Sequence, residues 1–140
     1  MPIRTISLVM THDSADAALA AAARLAARED AHLDVTCLGV EPSPIGSAAV
    51  MEGPVFLASG YAEALDRAEA LARWVRTSLR PGLRAMVEPM THLGGDLGAA
   101  SARRARMTDL SVTARLYGPG RGPFAIDVAE GLIFGGTSLV

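Results

Sequence analysis

The chain has 140 residues, half of them hydrophobic, which fits one ordinary domain with its own core and argues against an intrinsically disordered segment. Its 13 basic and 15 acidic side chains give a formal net charge of −2, which argues against a nucleic-acid binder held by bulk electrostatics. No apolar run reaches the ~20 residues of a membrane-spanning helix, and no signal peptide precedes the first strand. We therefore expect a soluble, cytoplasmic protein that binds neither a membrane nor a nucleic acid.

The first forty residues predict a strand, a helix and a second strand. Residues 3–10 form a β-branched and apolar run typical of a buried strand, and the polar turn 11–14 follows, with Asp13 or Ser14 placed to cap a helix. Residues 15–29 are rich in alanine and carry one apolar helical stripe. Residues 33–40 are again apolar. This βαβ unit predicts two parallel strands joined by a right-handed crossover.

The single cysteine, Cys37, lies inside the second predicted strand. One cysteine excludes an intrachain disulfide and fits a reducing compartment. Because free cysteines inside apolar strands are usually buried, we predict an unreactive core thiol rather than a reactive one.

Residues 42–54 contain three prolines, two glycines and two serines, which predicts a long loop that serves as a mobile flap or an interaction surface. Apolar residues then recur every three or four positions over 61–79, which predicts a helix that Pro81-Gly82 ends. Residues 83–90 predict a third strand with Pro89 near its end.

The next predicted helix runs from the segment 93–96 through Met107 and ends in a basic cluster of Arg103, Arg104 and Arg106. We interpret this cluster as a solvated face that suits the helix dipole, with an anion site as the alternative. Residues 109–115 alternate apolar and polar side chains, which predicts a fourth strand.

A rigid, glycine-rich loop occupies residues 117–123, and a last helix is predicted over 124–134, closed by Gly135-Gly136. Residues 137–140 read as the opening of a fifth strand, where the sequence given stops. We therefore expect residues 1–140 to be a single domain and the N-terminal part of a longer chain.

These elements predict an α/β fold: a doubly wound, Rossmann-like, five-stranded parallel sheet with about four helices and a truncated last strand. Ligands of such sheets bind at the carboxyl ends of the strands. Three segments end there, namely 11–14, Val40-Glu41 and 117–123. The glycines of the last segment could expose backbone N–H groups to a phosphate, although a plain connecting turn explains them equally well.

His12 is the titratable side chain at this predicted crevice, where it could serve as a base, an anion contact or a pH-sensitive group. The alternative is an exposed turn histidine. No histidine or carboxylate spacing predicts a metal site, and no local context supports a Ser-His-Asp or Cys-His set. We assign no catalytic residue, and we interpret Ser14 as a helix cap.

Four stretches resemble the universal stress protein family. ISLVMTHDSADAALAAAARLA is similar to the family's first strand, turn and alanine-rich helix, and LDVTCLGVE is similar to its second strand. RRARMTDLSVTAR resembles the segment where a helix ends and the next strand begins, and DVAEGLIFGGTSLV resembles the closing segment. The resemblance covers the chain outside residues 42–58 and is closest to the divergent domains of tandem bacterial members.

Family members that bind ATP carry an aspartate after the first strand, a valine ending the second, and a G-x2-G-x9-G-[ST] signature after the fourth. The resemblance places Val40 at the valine and His12 at the aspartate. The signature positions hold other residues: Thr113, Leu116, Ile126 and Asp127. An aspartate there would place negative charge near the triphosphate oxygens, and Coulomb repulsion would oppose binding.

The resemblance implies a non-catalytic stress-response domain that pairs with a second such domain, in a homodimer or within one chain. One alternative is an adenine-nucleotide sensor that binds ATP or AMP. Its candidate residues are Thr11, His12, Val40, Gly118, Gly120, Arg121 and Gly122. A second alternative is a nucleotide hydrolase with His12 as base and Arg121 as phosphate clamp.

Overall fold

The computed structural model of the protein describes residues 2–12, 15–41, 47–119, 124–135 and 138–139, with the backbone alone described for 47–59, 94 and 138–139. Strands and helices alternate along these residues. In chain order they are β1 (Thr5–Met10), α1 (Asp16–Glu29), β2 (His32–Glu41), α2 (Ser47–Ser78), β3 (Ala85–Leu93), a short 3-10 turn (Gly94–Asp96), α3 (Leu97–Ala105), β4 (Leu110–Val112), α4 (Ala125–Phe134) and β5 (Ser138–Leu139).

All strand pairs are parallel, and the strands lie in the order β3-β2-β1-β4-β5. The predicted α/β architecture with four helices and a parallel sheet is confirmed. Four of the strands have three or more residues, and the predicted fifth strand is a two-residue segment paired with β4 at the sheet edge. The strand order reverses at β1, so the crevice expected for a doubly wound sheet lies beside the end of β1.

The two faces of the sheet are covered by different helices. On one face, Ile6 and Leu8 of β1 join α1 and α2 in a buried cluster. On the other face, Val9 of β1 packs with Leu97 of α3 and Leu132 of α4. Because both faces are covered, β1 and β2 are apolar along most of their length, which is why their apolar runs predict them.

The prediction of a loop over 42–54 is wrong for its second part, because α2 already begins at Ser47 and runs through Pro54. Residues 42–46 lie outside the described residues. The loop was predicted because proline and glycine disfavour a helix. The same segment also contains alanines and Met51, and Leu57 lies nearby, all of which are good helix formers. The helix is therefore longer than the repeat over 61–79 predicted.

Two strand boundaries also differ from the predictions. β4 covers only Leu110–Val112 of the predicted 109–115, and all three of its side chains are buried, including the polar Ser111. β3 extends to Leu93, which places Pro89 in its middle. Because β3 is an edge strand, the missing proline N–H disturbs pairing on one side at most.

Helices α3 and α4 cross at unusually close range. A Cβ atom added to Gly131 of α4 would overlap the backbone of Gly98 in α3, and one added to Gly135 would lie 3.0 Å from the Cβ of Ala105. Small residues on both helices therefore set the distance at which this layer packs.

Candidate functional site

The carboxyl edge of the sheet has a step at the end of β1. Met10, the last residue of β1, pairs with Cys37, yet β2 continues to Glu41 alongside β3. Thr11 and His12 therefore leave the sheet beside a wall formed by the end of β2. The structure brings Thr11, His12 and Val40 to the same edge, as expected from parallel strands.

A pocket of about 340 Å³ opens between this step and α2, and we call it the His12 pocket. Half of its lining side chains are apolar and half are polar or charged. They are Thr11, His12, Arg67, Ala70, Leu71 and Trp74. His12 is half-buried, and its Nδ1 atom is buried with no hydrogen-bond partner in the described part of the chain. An imidazole nitrogen in this state can accept or donate one hydrogen bond to a ligand.

Arg67 connects the His12 pocket to the end of β2. Its Nη2 atom donates to the backbone oxygen of Val40 at 3.1 Å, and its Nη1 atom lies 3.9 Å from Glu63 one helical turn earlier. α2 comes this close to β2 because Gly39 has no side chain: a Cβ there would overlap the backbone of Ala64. Sequence reasoning missed Arg67, since no local signal distinguishes it from the other arginines of α2.

A second cavity, of about 110 Å³, lies on the opposite face of the sheet beneath α3, and we call it the α3 cavity. Its lining residues come from β1, β2, β3 and α3. They are Val9, Thr36, Leu38, Met90, His92, Ala100, Ser101, Arg103 and Arg104. No pattern in the sequence indicates this cavity, because it depends on which strand residues face α3.

The predicted solvated face of the basic cluster is wrong for Arg104. Its guanidinium is partly buried, pairs with Glu88, and lies 3.8 Å from a carboxylate oxygen of Asp34. Arg103 pairs with Asp96 at 3.3 Å, whereas Arg106 is exposed. The register explains the difference: Asp34 and Glu88 both face α3, so a basic residue on the inner side of that helix meets two carboxylates.

The glycine-rich loop is described only in part. Gly118 has a φ of 86°, a left-handed backbone conformation that glycine adopts without strain, and it lines neither of the two cavities. Gly120, Arg121 and Gly122 lie outside the described residues, so their predicted part in a nucleotide site stays a prediction. Asp127 is exposed in the first turn of α4, where its negative charge suits the helix dipole.

Cys37 is fully buried and free, so the burial predicted for it is confirmed. Burial raises the pKa of the Cys37 thiol to about 12, against a smaller opposing effect of Arg76. Among the described residues, no group of three His, Cys, Asp or Glu side chains could hold a metal ion. No helix in this part of the chain is long and apolar enough to cross a membrane.

No family model and no curated protein matches the chain. Solved structures do match it over nearly its whole length. A universal stress protein in complex with cAMP is 17% identical, with 100% of this chain and 96% of that chain covered and a TM-score of 0.53. The universal stress protein UspA from Lactobacillus plantarum is 18% identical, with 100% and 97% covered and a TM-score of 0.55. A universal stress protein family member from Burkholderia pseudomallei is 20% identical, with 99% and 94% covered and a TM-score of 0.51. The chain therefore has the fold of universal stress protein structures.

Proposed function

We propose that this chain is a universal stress protein domain that acts in stress response without catalysis and works as a pair, either as a homodimer or with a second such domain in one chain. The observation that carries the proposal is an apolar surface beside the free edge of the sheet. In the described part of the chain, β5 pairs only with β4, so its outer edge is open to another strand.

The apolar surface consists of Met107, Ile133 and Phe134, which are 80%, 54% and 82% exposed. Phe134 ends α4, which leads into the edge strand β5, and Met107 precedes β4, the strand that pairs with β5. Large exposed apolar side chains on the elements that lead to an open strand edge are costly to leave in water and favour protein contact there.

The oligomeric state tests pairing between copies. We expect light scattering after size-exclusion chromatography to give a dimer for the chain and a monomer for Phe134→Ser. Tyr117→Ser is the matched control, because Tyr117 is 74% exposed but belongs to the loop that follows β4. A monomeric wild-type chain, or a Phe134→Ser variant that stays dimeric, would contradict pairing through this surface.

Adenine-nucleotide binding is the second candidate function, with the His12 pocket as its place. Two observations favour it: a similar structure contains cAMP, and the pocket combines an indole side chain, a guanidinium and an imidazole nitrogen without a partner among the described residues. Trp74 and Arg67 could hold a purine and its phosphate through stacking and charge. This candidate keeps Thr11 and His12 as lining residues of the pocket, while Val40 contributes only through the hydrogen bond of its backbone oxygen to Arg67.

Trp74 is the one tryptophan of the chain, so its fluorescence reports directly on this pocket. We expect AMP, ATP or cAMP to change the emission in a saturable way, and Arg67→Ala or His12→Ala to weaken binding about tenfold each, as for loss of one charge-assisted hydrogen bond. Arg73→Ala is the control, being exposed on the same helix and outside the pocket. The absence of a saturable change in Trp74 emission at millimolar nucleotide would contradict nucleotide binding. Release of phosphate by the wild-type chain but not by His12→Ala would instead support a nucleotide hydrolase.

A further inference from the structure

The α3 cavity combines apolar walls with buried hydroxyl groups. Val9, Leu38 and Met90 provide sheet residues of its wall, while Thr36 and Ser101 line it with side chains that are 4% and 1% exposed. We propose that this cavity binds a small uncharged molecule with an apolar body and one hydroxyl or carbonyl group. It lies across the sheet from the His12 pocket, so the proposal is independent of the nucleotide candidate.

Ser101 carries the hydrogen-bonding part of the proposal. Its Oγ atom is buried and has no hydrogen-bond partner in the described part of the chain. A buried hydroxyl without a partner is destabilising, and alanine would fit the same helical position without that cost. By contrast, the buried Ser7 and Ser111 on the same face of the sheet bond each other at 2.8 Å. A ligand oxygen in the cavity would give Ser101 the partner that it lacks.

The charges around the cavity argue against a charged ligand: the two guanidinium groups that line it would repel a cation, and both are paired, which disfavours an anion. Arg103 and Arg104 line it, but both already face carboxylates: Arg103 meets Asp96, and Arg104 meets Glu88 and Asp34. His92 also lies 3.5 Å from Asp96. Three carboxylates oppose two guanidinium groups here, so no positive charge is left over to hold an anion.

The volume sets the size of the ligand. A protein cavity of about 150 Å³ lined by apolar side chains holds one benzene molecule. The α3 cavity is somewhat smaller, at about 110 Å³, but Arg103 at its mouth is 57% exposed, so a ligand can extend toward solvent there. A single six-membered ring with one polar substituent is therefore a suitable probe.

The test is an amide chemical-shift titration of the chain with phenol, benzene and benzoate. We expect phenol to bind in a saturable way, with the largest shifts at Thr36, Met90 and Ser101, and benzene and benzoate to bind more weakly. Loss of the hydroxyl in Ser101→Ala should weaken phenol about fivefold, to the affinity of benzene, as expected for one hydrogen bond. Ala100→Leu should abolish binding of both by filling the cavity.

Ser111→Ala is the matched control, because it also removes a buried serine hydroxyl from this side of the sheet but does not line the cavity. It should leave the affinity for phenol unchanged. Three outcomes would overturn the proposal: no saturable shift with phenol, which would leave water as the occupant; an unchanged preference for phenol over benzene in Ser101→Ala; or tighter binding of benzoate than of phenol.

Discussion

At the scale of single residues, Asp109 joins the beginnings of two neighbouring strands. Its Oδ2 atom accepts hydrogen bonds from the backbone N–H groups of Arg4, at 2.8 Å, and Thr5, at 3.0 Å. Its own N–H donates to the backbone oxygen of Thr5. The two backbone hydrogen bonds, and to a smaller extent the charge of Arg4, lower the pKa of the Asp109 carboxyl. The side chain is exposed, so this clamp acts in contact with solvent.

We predict that Asp109→Asn lowers the free energy of unfolding at pH 7, and that the difference from wild type shrinks in acid. A carboxyl whose pKa is lower in the folded state contributes stability above its unfolded pKa, and that contribution is lost as the pH falls through the folded pKa. The change therefore begins below about pH 4, near the ordinary aspartate value. Urea unfolding at several pH values measures it, with the exposed Asp66→Asn as control. An unchanged difference between pH 7 and pH 3 would contradict the clamp.

At the scale of secondary-structure elements, the crossing of α3 and α4 depends on glycine. We predict that Gly131→Ala lowers the free energy of unfolding by about 2 kcal/mol, because the added methyl group would overlap the backbone of Gly98 and overpacking costs about 1–3 kcal/mol. Denaturant unfolding checks this against Glu130→Ala, whose exposed neighbouring position should tolerate the change. Equal stability of the two variants would show that the helices can separate without cost.

Elements whose signal is local were predictable from the sequence. β1, α1 and β2 follow from apolar runs and an alanine-rich stripe. The structure places the bounds of all three elements within two residues of the predicted ones. The beginning of α2 was not predictable, because a proline such as Pro54 usually disfavours a helix interior. Tertiary packing can override that local preference.

The candidate site was predictable only where it follows from topology. Thr11, His12 and Val40 come to one edge because parallel strands all point the same way. Arg67 and Ser101 could not be found, because their roles depend on which side of a helix meets which strand. That choice is fixed by register and by close contacts such as the one at Gly39, and neither has a signature in a single sequence.

At the scale of the whole molecule, one sheet separates two buried clusters, and its strands contribute side chains to both. The cluster beneath α1 and α2 contains Cys37, while the cluster beneath α3 and α4 depends on the crossing at Gly131. β1 supplies Leu8 to the first cluster and Val9 to the second. Losing either layer exposes one face of this shared strand, so the two layers should unfold together as a single domain.

Cys37 allows that cooperativity to be measured from the opposite side of the sheet. With its pKa raised to about 12 and its side chain buried, the thiol is unreactive at neutral pH until the chain unfolds. We predict that the free energy of opening, from thiol labelling in native buffer, equals the free energy of global unfolding, and that Gly131→Ala lowers both by the same amount. Glu130→Ala should change neither. If Gly131→Ala weakens global stability but leaves Cys37 equally protected, α3 and α4 unfold separately from the layer that holds the thiol.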